Sequence, residues 1–146
     1  MSANFLLDVN VLIAAAWPTH QAHEQVQQWL ADHAREGWAT CPLTESAFVR
    51  IISNPAFSPN ALTVADALDL LRANLGHPSH RFWEDDIPFL QSVEPCDDRL
   101  VGHRQISDAY LLGLAIHRRG KLATLDRAIL SLLPEKSSHR ERIAVI

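Results

Sequence analysis

Four acidic residues occupy comparable places in the chain, each where a short apolar run gives way to a helical segment or a turn. They are Asp8, Glu45, Asp108 and Asp126. A single acid at such a place is commonly a helix N-cap or compensates the helix dipole, and that simpler interpretation stays open for each one. Because all four occur within a chain of 146 residues, their repetition favours a shared catalytic site over four independent caps.

The chemistry that these acids predict is metal-dependent phosphoryl transfer, and hydrolysis in particular. If the preceding strands run parallel, the carboxylates meet at one edge of the sheet and repel each other. A hard divalent cation relieves that repulsion, and Mg²⁺ or Mn²⁺ suits carboxylate oxygens better than zinc does. Such a cation polarises a phosphodiester and activates a water. Three nearby polar residues are candidates for orienting the carboxylates: Asn10, Ser107 and Thr124.

Alternating apolar runs and helical patterns predict one α/β domain that spans residues 1–146. Strands are expected at 5–7, 38–41, 80–83, 121–124 and 143–146, and an additional edge strand at 93–96. Helices are expected at 9–17, from 19 or 20 to 35, at 44–53, at 63–75, and from a cap at Ser107 to a stop at Gly120. Shorter helical turns are expected near 87 and at 128–133. This alternation favours a mostly parallel central sheet of four to five strands with helices on both faces.

Composition and charge narrow the class of protein. Apolar residues make up 47% of the chain and charged residues 21%, which is typical of a folded globular domain. The longest apolar runs are too short to span a membrane, and no basic segment precedes the first one, so we expect neither a transmembrane helix nor a signal peptide. The two cysteines have no metal or redox spacing, which favours a reducing cytoplasm. A net charge of −4 argues against a general nucleic-acid binder but not against an acidic metal pocket.

Four segments together resemble the PIN domain, and more narrowly the VapC toxins of bacterial toxin–antitoxin pairs. They are FLLDVNVLIAA, LTESAFVRI, ISDAYLLGLA and LATLDRA, and the resemblance covers nearly the whole chain. It implies a ribonuclease dependent on Mg²⁺ or Mn²⁺, whose acidic site matches the four acids above with Asn10 and Thr124 in support. Asp8 and Asp108 are then the firmest metal ligands, Asp126 acts through a water, and Glu45 ligates the metal or orients the nucleophile.

The resemblance also implies partners. A toxin of this family is neutralised by a cognate VapB-type antitoxin whose C-terminal segment wraps around it. The apolar side chains of the first two helices and of the fourth are expected to form the groove for that segment. A homodimer is typical of the family, and a larger toxin–antitoxin assembly is compatible with it.

Basic residues near the acids are the candidates for holding RNA. Arg104 and Arg127 flank the acidic site in sequence, and Arg50 lies on the helix that carries Glu45. Three further cations, Arg118, Arg119 and Lys121, lie at the far end of the central helix, where positive charge is favoured electrostatically. We therefore predict that the first group contacts phosphates and that the second consists of ordinary helix-end charges.

Two other functions remain open from the residues. A phosphatase that uses Asp8 as a covalent nucleophile is one, although such enzymes usually carry a second acid two residues later, where this chain has Asn10. A catalytically silent PIN-like protein that only binds a partner is the other, and the presence of all four acids argues against it. The number of metal ions is also open, because one-ion and two-ion sites use the same four acids.

Overall fold

The computed structural model describes residues 4–146, and its centre is a single five-stranded sheet. The strands are β1 (Phe5–Leu7), β2 (Trp38–Thr40), β3 (His80–Phe82), β4 (Lys121–Thr124) and β5 (Ile143–Val145). Their order across the sheet is β3-β2-β1-β4-β5, and every neighbouring pair is parallel. All five carboxyl ends therefore lie at one edge, which is where sheets of this type place their sites. The expected parallel α/β sheet is confirmed.

Six α-helices and four 3-10 helices connect the strands within the described residues. The α-helices are α1 (Val9–Ala16), α2 (His23–His33), α3 (Pro42–Ile52), α4 (Val64–Leu75), α5 (Phe89–Val93) and α6 (Ile106–His117). The 3-10 helices span Glu94–Arg99, His103–Gln105, Arg127–Leu132 and Ser138–Arg142. No helix among residues 4–146 combines the length and the apolar character that crossing a membrane requires.

The sheet separates two hydrophobic cores, because successive side chains of a strand point to opposite faces. Leu6 of β1 packs into a core that contains most of α6, whereas Leu7 packs into a core built from α1 to α4. Both side chains are almost completely buried. Helices therefore cover both faces of the sheet, as the alternation of elements predicts. In α6, all residues from 109 to 115 are buried, so this helix is surrounded by protein on nearly every side.

Two predicted elements are wrong. The segment 93–96 is not an edge strand: Val93 ends α5, and the 3-10 helix Glu94–Arg99 follows. The physical reason is Pro95, which lacks the N–H that a strand needs but suits the first turn of a helix. Helix α2 begins at His23 and not at residue 19 or 20, because the preceding residues form a turn in which His20 Nδ1 accepts a hydrogen bond from the Ala22 N–H.

The ends of α6 also differ from expectation. Ser107 is not its N-cap, because the helix begins at Ile106 and Gln105 is the flanking residue. At the other end, the left-handed residue is Arg119, with φ 59°, and not Gly120. Gly120 has a different role: a Cβ there would lie 2.8 Å from the Trp83 ring and 2.9 Å from the Asn4 carbonyl oxygen. Packing, and not backbone conformation, therefore requires a glycine at this position.

Candidate active site

Asp8 is a buried carboxylate whose two oxygens are both engaged. It directly follows β1, it is only 4% exposed, and it is the N-cap of α1. Oδ1 accepts a hydrogen bond from the Val9 N–H at 2.8 Å, and Oδ2 accepts one from the Thr124 hydroxyl at 2.7 Å. The simpler interpretation of Asp8 as a cap therefore holds, but a cap needs no such burial. Since each oxygen keeps a free lone pair, the capped carboxylate can still bind a cation.

Thr124 and Asn10 join the carboxyl ends of β1 and β4 around Asp8. Besides donating to Asp8, the Thr124 hydroxyl oxygen accepts hydrogen bonds from the Asp126 N–H at 3.0 Å and from Asn10 Nδ2 at 3.4 Å. Asn10 Oδ1 in turn accepts from the Leu125 N–H at 3.1 Å. These bonds fix the turn that carries Asp126 relative to Asp8. Asn10 and Thr124 therefore lie beside Asp8, and their supporting roles in catalysis stay predictions.

Three of the four acids interact electrostatically. Burial raises the pKa of Asp108 to about 6, and the negative charges of Asp8 and Asp126 add to the shift. Burial also raises the pKa of Asp8, against the opposing hydrogen bonds from Thr124 and Val9, and the charge of Asp126 contributes a smaller increase. Because like charges in one site disfavour ionisation, a cation bound there would offset these effects.

Glu45 stands apart from this trio. It lies in the first turn of α3, next to β2, and its Oε2 accepts a hydrogen bond from the Thr40 hydroxyl at 2.8 Å. Its charge is not among those that shift the pKa of Asp8 or of Asp108. Because β2 neighbours β1 in the sheet, Glu45 still faces the same edge as the other acids. The structure thus relates it to them through the sheet and not through direct contact.

The donor set fits a hydrated Mg²⁺ or Mn²⁺ site more than a closed protein cage. Among residues 4–146, no three His, Cys, Asp or Glu side chains are arranged so that they alone could hold a metal ion. Mg²⁺ does not need such a cage, because it typically binds through one or two carboxylates and keeps several waters. Burial is the main cause of the raised pKa values of Asp8 and Asp108, and neighbouring aspartates add a smaller part, which a cation would relieve. These residues therefore match the chemistry of such a site.

The remaining predicted site residues lie at the surface. Ser107 is exposed in the first turn of α6, and Arg50, Arg104 and Arg127 are exposed as well. Within the part of the chain that the structure describes, none of the three arginines takes part in an ion pair.

Arg118, by contrast, is occupied by its neighbours. It pairs with Asp86 at 3.3 Å, donates to the Glu84 carbonyl oxygen at 3.1 Å, and lies over the Trp83 ring. This contrast supports treating Arg118 as a structural charge.

Sequence reasoning missed two polar contacts near the strand ends. Thr40 interacts with Glu45 and also with His80, whose Nε2 lies 2.7 Å from the Thr40 hydroxyl oxygen. The Tyr110 hydroxyl, two residues beyond Asp108, donates a hydrogen bond to Asp85. Each pair depends on how distant segments align, so no local motif could have indicated it.

Comparison with known proteins identifies the family to which this fold and its acidic residues belong. The family model for the PIN domain matches residues 5–133. The chain belongs to the PIN-domain family. This PIN domain is similar to Ribonuclease VapC38 of Mycobacterium tuberculosis (strain ATCC 25618 / H37Rv), with 42% identity over 131 residues, 90% of this chain and 91% of that protein. It is also similar to Ribonuclease VapC39 of the same strain, with 40% identity over 124 residues, 85% of this chain and 89% of that protein.

Solved structures show the same fold. The crystal structure of VapBC2 from Rickettsia felis bound to a DNA fragment from their promoter matches this PIN domain with a TM-score of 0.63 and 10% identity. The match covers 97% of this chain and 96% of that one. PAE2754 from Pyrobaculum aerophilum matches with the same TM-score of 0.63 and 22% identity, covering 97% of this chain and 83% of that one. At these identities the likeness extends to the fold alone.

Proposed function

We propose that this PIN domain is an endoribonuclease dependent on Mg²⁺ or Mn²⁺ and acts as the toxin of a VapBC-type toxin–antitoxin pair. The observation that carries the catalytic part lies at the carboxyl edge of the sheet, where the charges of Asp8 and Asp126 act on Asp108. The relatives that are about 40% identical and carry the name Ribonuclease VapC support RNA as the substrate.

The side chains of the proposed site would have different roles in hydrolysis. Asp8 and Asp108 would hold the metal, with Asp126 beside them. When bound, a divalent cation polarises the scissile phosphodiester and lowers the pKa of the attacking water. Thr124 fixes the orientation of the Asp8 carboxylate through the 2.7 Å hydrogen bond. Glu45, in the first turn of α3 beside β2, would ligate the metal or orient the nucleophile.

A groove formed by helices α1, α2 and α4 supports a proposal for the antitoxin site. A cavity of about 540 Å³ is lined by side chains of α1, α2 and α4, among them Leu12, Leu30 and Ala73. These are the helices from which the sequence predicts the groove. We propose that the C-terminal segment of a VapB-type antitoxin occupies it, and that two toxin chains associate as a homodimer. A ribonuclease of this kind would meet its substrate in the cytoplasm.

The test of the catalytic proposal is cleavage of single-stranded RNA by the purified chain. Cleavage is expected with Mg²⁺ or Mn²⁺ and is expected to stop with EDTA. Asp8→Asn and Asp108→Asn should reduce the rate at least about 100-fold, since each removes a charge that holds the metal. Asp66→Asn is the matched control, because Asp66 is an exposed acid in the first turn of α4. Undiminished cleavage by folded Asp8→Asn and Asp108→Asn proteins would contradict the proposal.

The partner is tested separately by coexpression with the small protein encoded beside this chain. Size-exclusion chromatography with light scattering should show a stable complex and, for the toxin alone, the mass of two chains. A monomeric toxin would contradict the proposed homodimer. Two proteins that elute separately would contradict the proposed antitoxin complex. Neither result would affect the catalytic proposal.

A further inference from the structure

A series of three side chains connects Glu45 through Thr40 to His80, which lies on the outermost strand, β3. The Thr40 hydroxyl donates to Glu45 Oε2 at 2.8 Å, and His80 Nε2 lies 2.7 Å from the same hydroxyl oxygen. Thr40 ends β2 and His80 begins β3, so the contact runs diagonally across two paired strands. Thr40 is completely buried, and water therefore does not replace either of its partners.

The donors and acceptors of these three side chains determine where the protons lie. A hydroxyl has one proton to donate, and an ionised carboxylate can only accept. A hydrogen bond to a charged carboxylate is roughly twice as strong as one between neutral groups, so the Thr40 proton goes to Glu45. The Thr40 oxygen then interacts with His80 only as an acceptor. It follows that His80 Nε2 must carry a hydrogen.

We propose that His80 is a positioning residue for the site: its Nε2–H donates to the Thr40 oxygen and thereby holds the hydroxyl in the orientation that donates to Glu45. This inference rests on the proposed ribonuclease function, because it assumes that Glu45 acts on the nucleophile. The side-chain hydrogen bond of His80 is to Thr40 and not to any of the three aspartates. It acts through Thr40 alone, by keeping the Glu45 carboxylate in one orientation.

The surroundings of His80 hold its ring in the required place. Trp38 lies directly opposite it in the β2–β3 register, and the two ring centroids are 5.0 Å apart. Burial lowers the pKa of His80, which favours the neutral ring with a single N–H, while a hydrogen bond to the Leu75 backbone opposes that shift. The neutral ring therefore has two competing arrangements. In one, Nε2–H donates to Thr40. In the other, the single hydrogen is on Nδ1 and serves the hydrogen bond to the Leu75 backbone, Nε2 is bare, and Thr40 turns its proton toward His80 and away from Glu45.

Nuclear magnetic resonance distinguishes these arrangements without any assay of activity. In the full-length chain labelled with ¹⁵N, long-range ¹H–¹⁵N correlations of His80 report which ring nitrogen carries the hydrogen. We expect protonated Nε2 in the wild type, and loss of this preference in Thr40→Val. A bare Nε2 in the wild type would overturn the inference. Because this measurement needs neither metal nor RNA, its result is independent of whether the proposed function holds.

Substitutions at His80 separate hydrogen bonding from packing. His80→Phe keeps a flat ring but has no donor, and it should lower kcat for RNA cleavage about 10-fold while leaving KM within twofold, as for other residues that support a catalytic group. His80→Gln places an amide N–H near the position of Nε2 and should restore most of that loss. His77→Gln is the matched control, since His77 is exposed and also packs on Trp38. It should leave cleavage unchanged.

A double-mutant cycle completes the test. If His80 acts through Thr40, then Thr40→Val should lower kcat at least as much as His80→Phe does, and the double variant should be no slower than Thr40→Val. Losses that multiply would overturn the inference, and so would a His80→Phe protein as active as the wild type when Glu45→Gln is impaired. Failure of the wild type itself to cleave RNA would instead contradict the proposed function, and the tautomer of His80 would still decide the inference.

Discussion

The hydroxyl of Thr124 donates a hydrogen bond to Asp8 Oδ2 at 2.7 Å across 116 positions of sequence. The same oxygen accepts a hydrogen bond from the Asp126 N–H at 3.0 Å. One buried side chain thus sets the distance between the acid that follows β1 and the acid that follows β4. Since outer-shell contacts of this kind fix the orientation of metal ligands, Thr124 matters to the site without binding a metal itself.

Removing the Thr124 hydroxyl should therefore weaken both activity and stability. Thr124→Val keeps the shape but leaves the buried Asp8 carboxylate without its side-chain donor. We expect RNA cleavage to fall about 10- to 100-fold and the free energy of unfolding to fall by about 1–3 kcal/mol. Since that hydrogen bond lowers the pKa of Asp8, the pH at half-maximal cleavage should rise.

Thr124→Ser is the control, because it keeps the hydroxyl and loses only a methyl group. It should retain most of the activity in a pH–rate profile and most of the stability in urea denaturation. A Thr124→Val protein with the pH profile of the wild type would show that the contact does not orient Asp8.

Much of the fold was predictable from the sequence because the strands are short and apolar and each ends at a polar residue. Asp8 after Phe5–Leu7 and Asp126 after Thr124 both mark strand ends, and the parallel topology then brings them to one edge. The N-cap of α4 at Thr63 and its stop at Gly76 were also readable from residue types alone. These features depend on local patterns, which a single sequence displays.

Features that depend on alignment between segments were not predictable. The contact of Thr40 with His80 requires the register of β2 against β3, and no local pattern encodes it. The predicted start of α6 lies later than the observed one, because Ser107 has the residue type of an N-cap. In the structure, a 3-10 turn at His103–Gln105 already leads into the helix at Ile106. The catalytic roles of the four acids stay predictions until the variants are measured.

The raised pKa of Asp108 predicts that the metal-free fold loses stability as the pH rises. The pKa is about 6 in the fold and 3.8 for an ordinary aspartate, so between these values the folded chain holds a proton that the unfolded chain has released. Stability should therefore fall from pH 4 to pH 6 and stay low above it. Asp108→Asn lacks this penalty and should be more stable than the wild type at pH 7.5 without metal, by on the order of 1–2 kcal/mol after allowance for partial exposure.

Thermal unfolding with and without metal checks this expectation. At pH 7.5, Mg²⁺ or Mn²⁺ should raise the Tm of the wild type and have little effect on Asp108→Asn, because a ligand that binds only the folded state stabilises it. At pH 4 and without metal, the two proteins should unfold at similar temperatures. A wild type that is more stable than Asp108→Asn in EDTA at pH 7.5 would contradict the raised pKa of Asp108.

Gly113 sets how closely α6 approaches α5, and therefore where Asp108 lies. A Cβ at this position would lie 1.8 Å from the Ser92 carbonyl oxygen, which is backbone and cannot turn aside. Gly113→Ala should separate the two helices and lower the free energy of unfolding by at least about 1–3 kcal/mol. The gain in helix propensity, about 1 kcal/mol, is too small to compensate. Gly102→Ala is the control, because nothing lies within 4 Å of its added Cβ. Equal urea midpoints for both variants would show that a Cβ at position 113 does not clash with Ser92.

The exposed arginines predict a specific change in how RNA binding depends on salt. Arg104 and Arg127 are exposed and take part in no ion pair among residues 4–146, whereas Arg118 is held by Asp86 and by the Trp83 ring. If each of the first two contacts one phosphate, Arg104→Ala and Arg127→Ala should each reduce the slope of log Kobs against log salt by about 0.7 in magnitude. Arg118→Ala should leave that slope unchanged and lower the Tm instead. Fluorescence anisotropy of labelled single-stranded RNA measures the slopes, in an Asp8→Asn background that prevents cleavage. If only Arg118→Ala changed the slope, Arg118 and not Arg104 or Arg127 would be the phosphate contact.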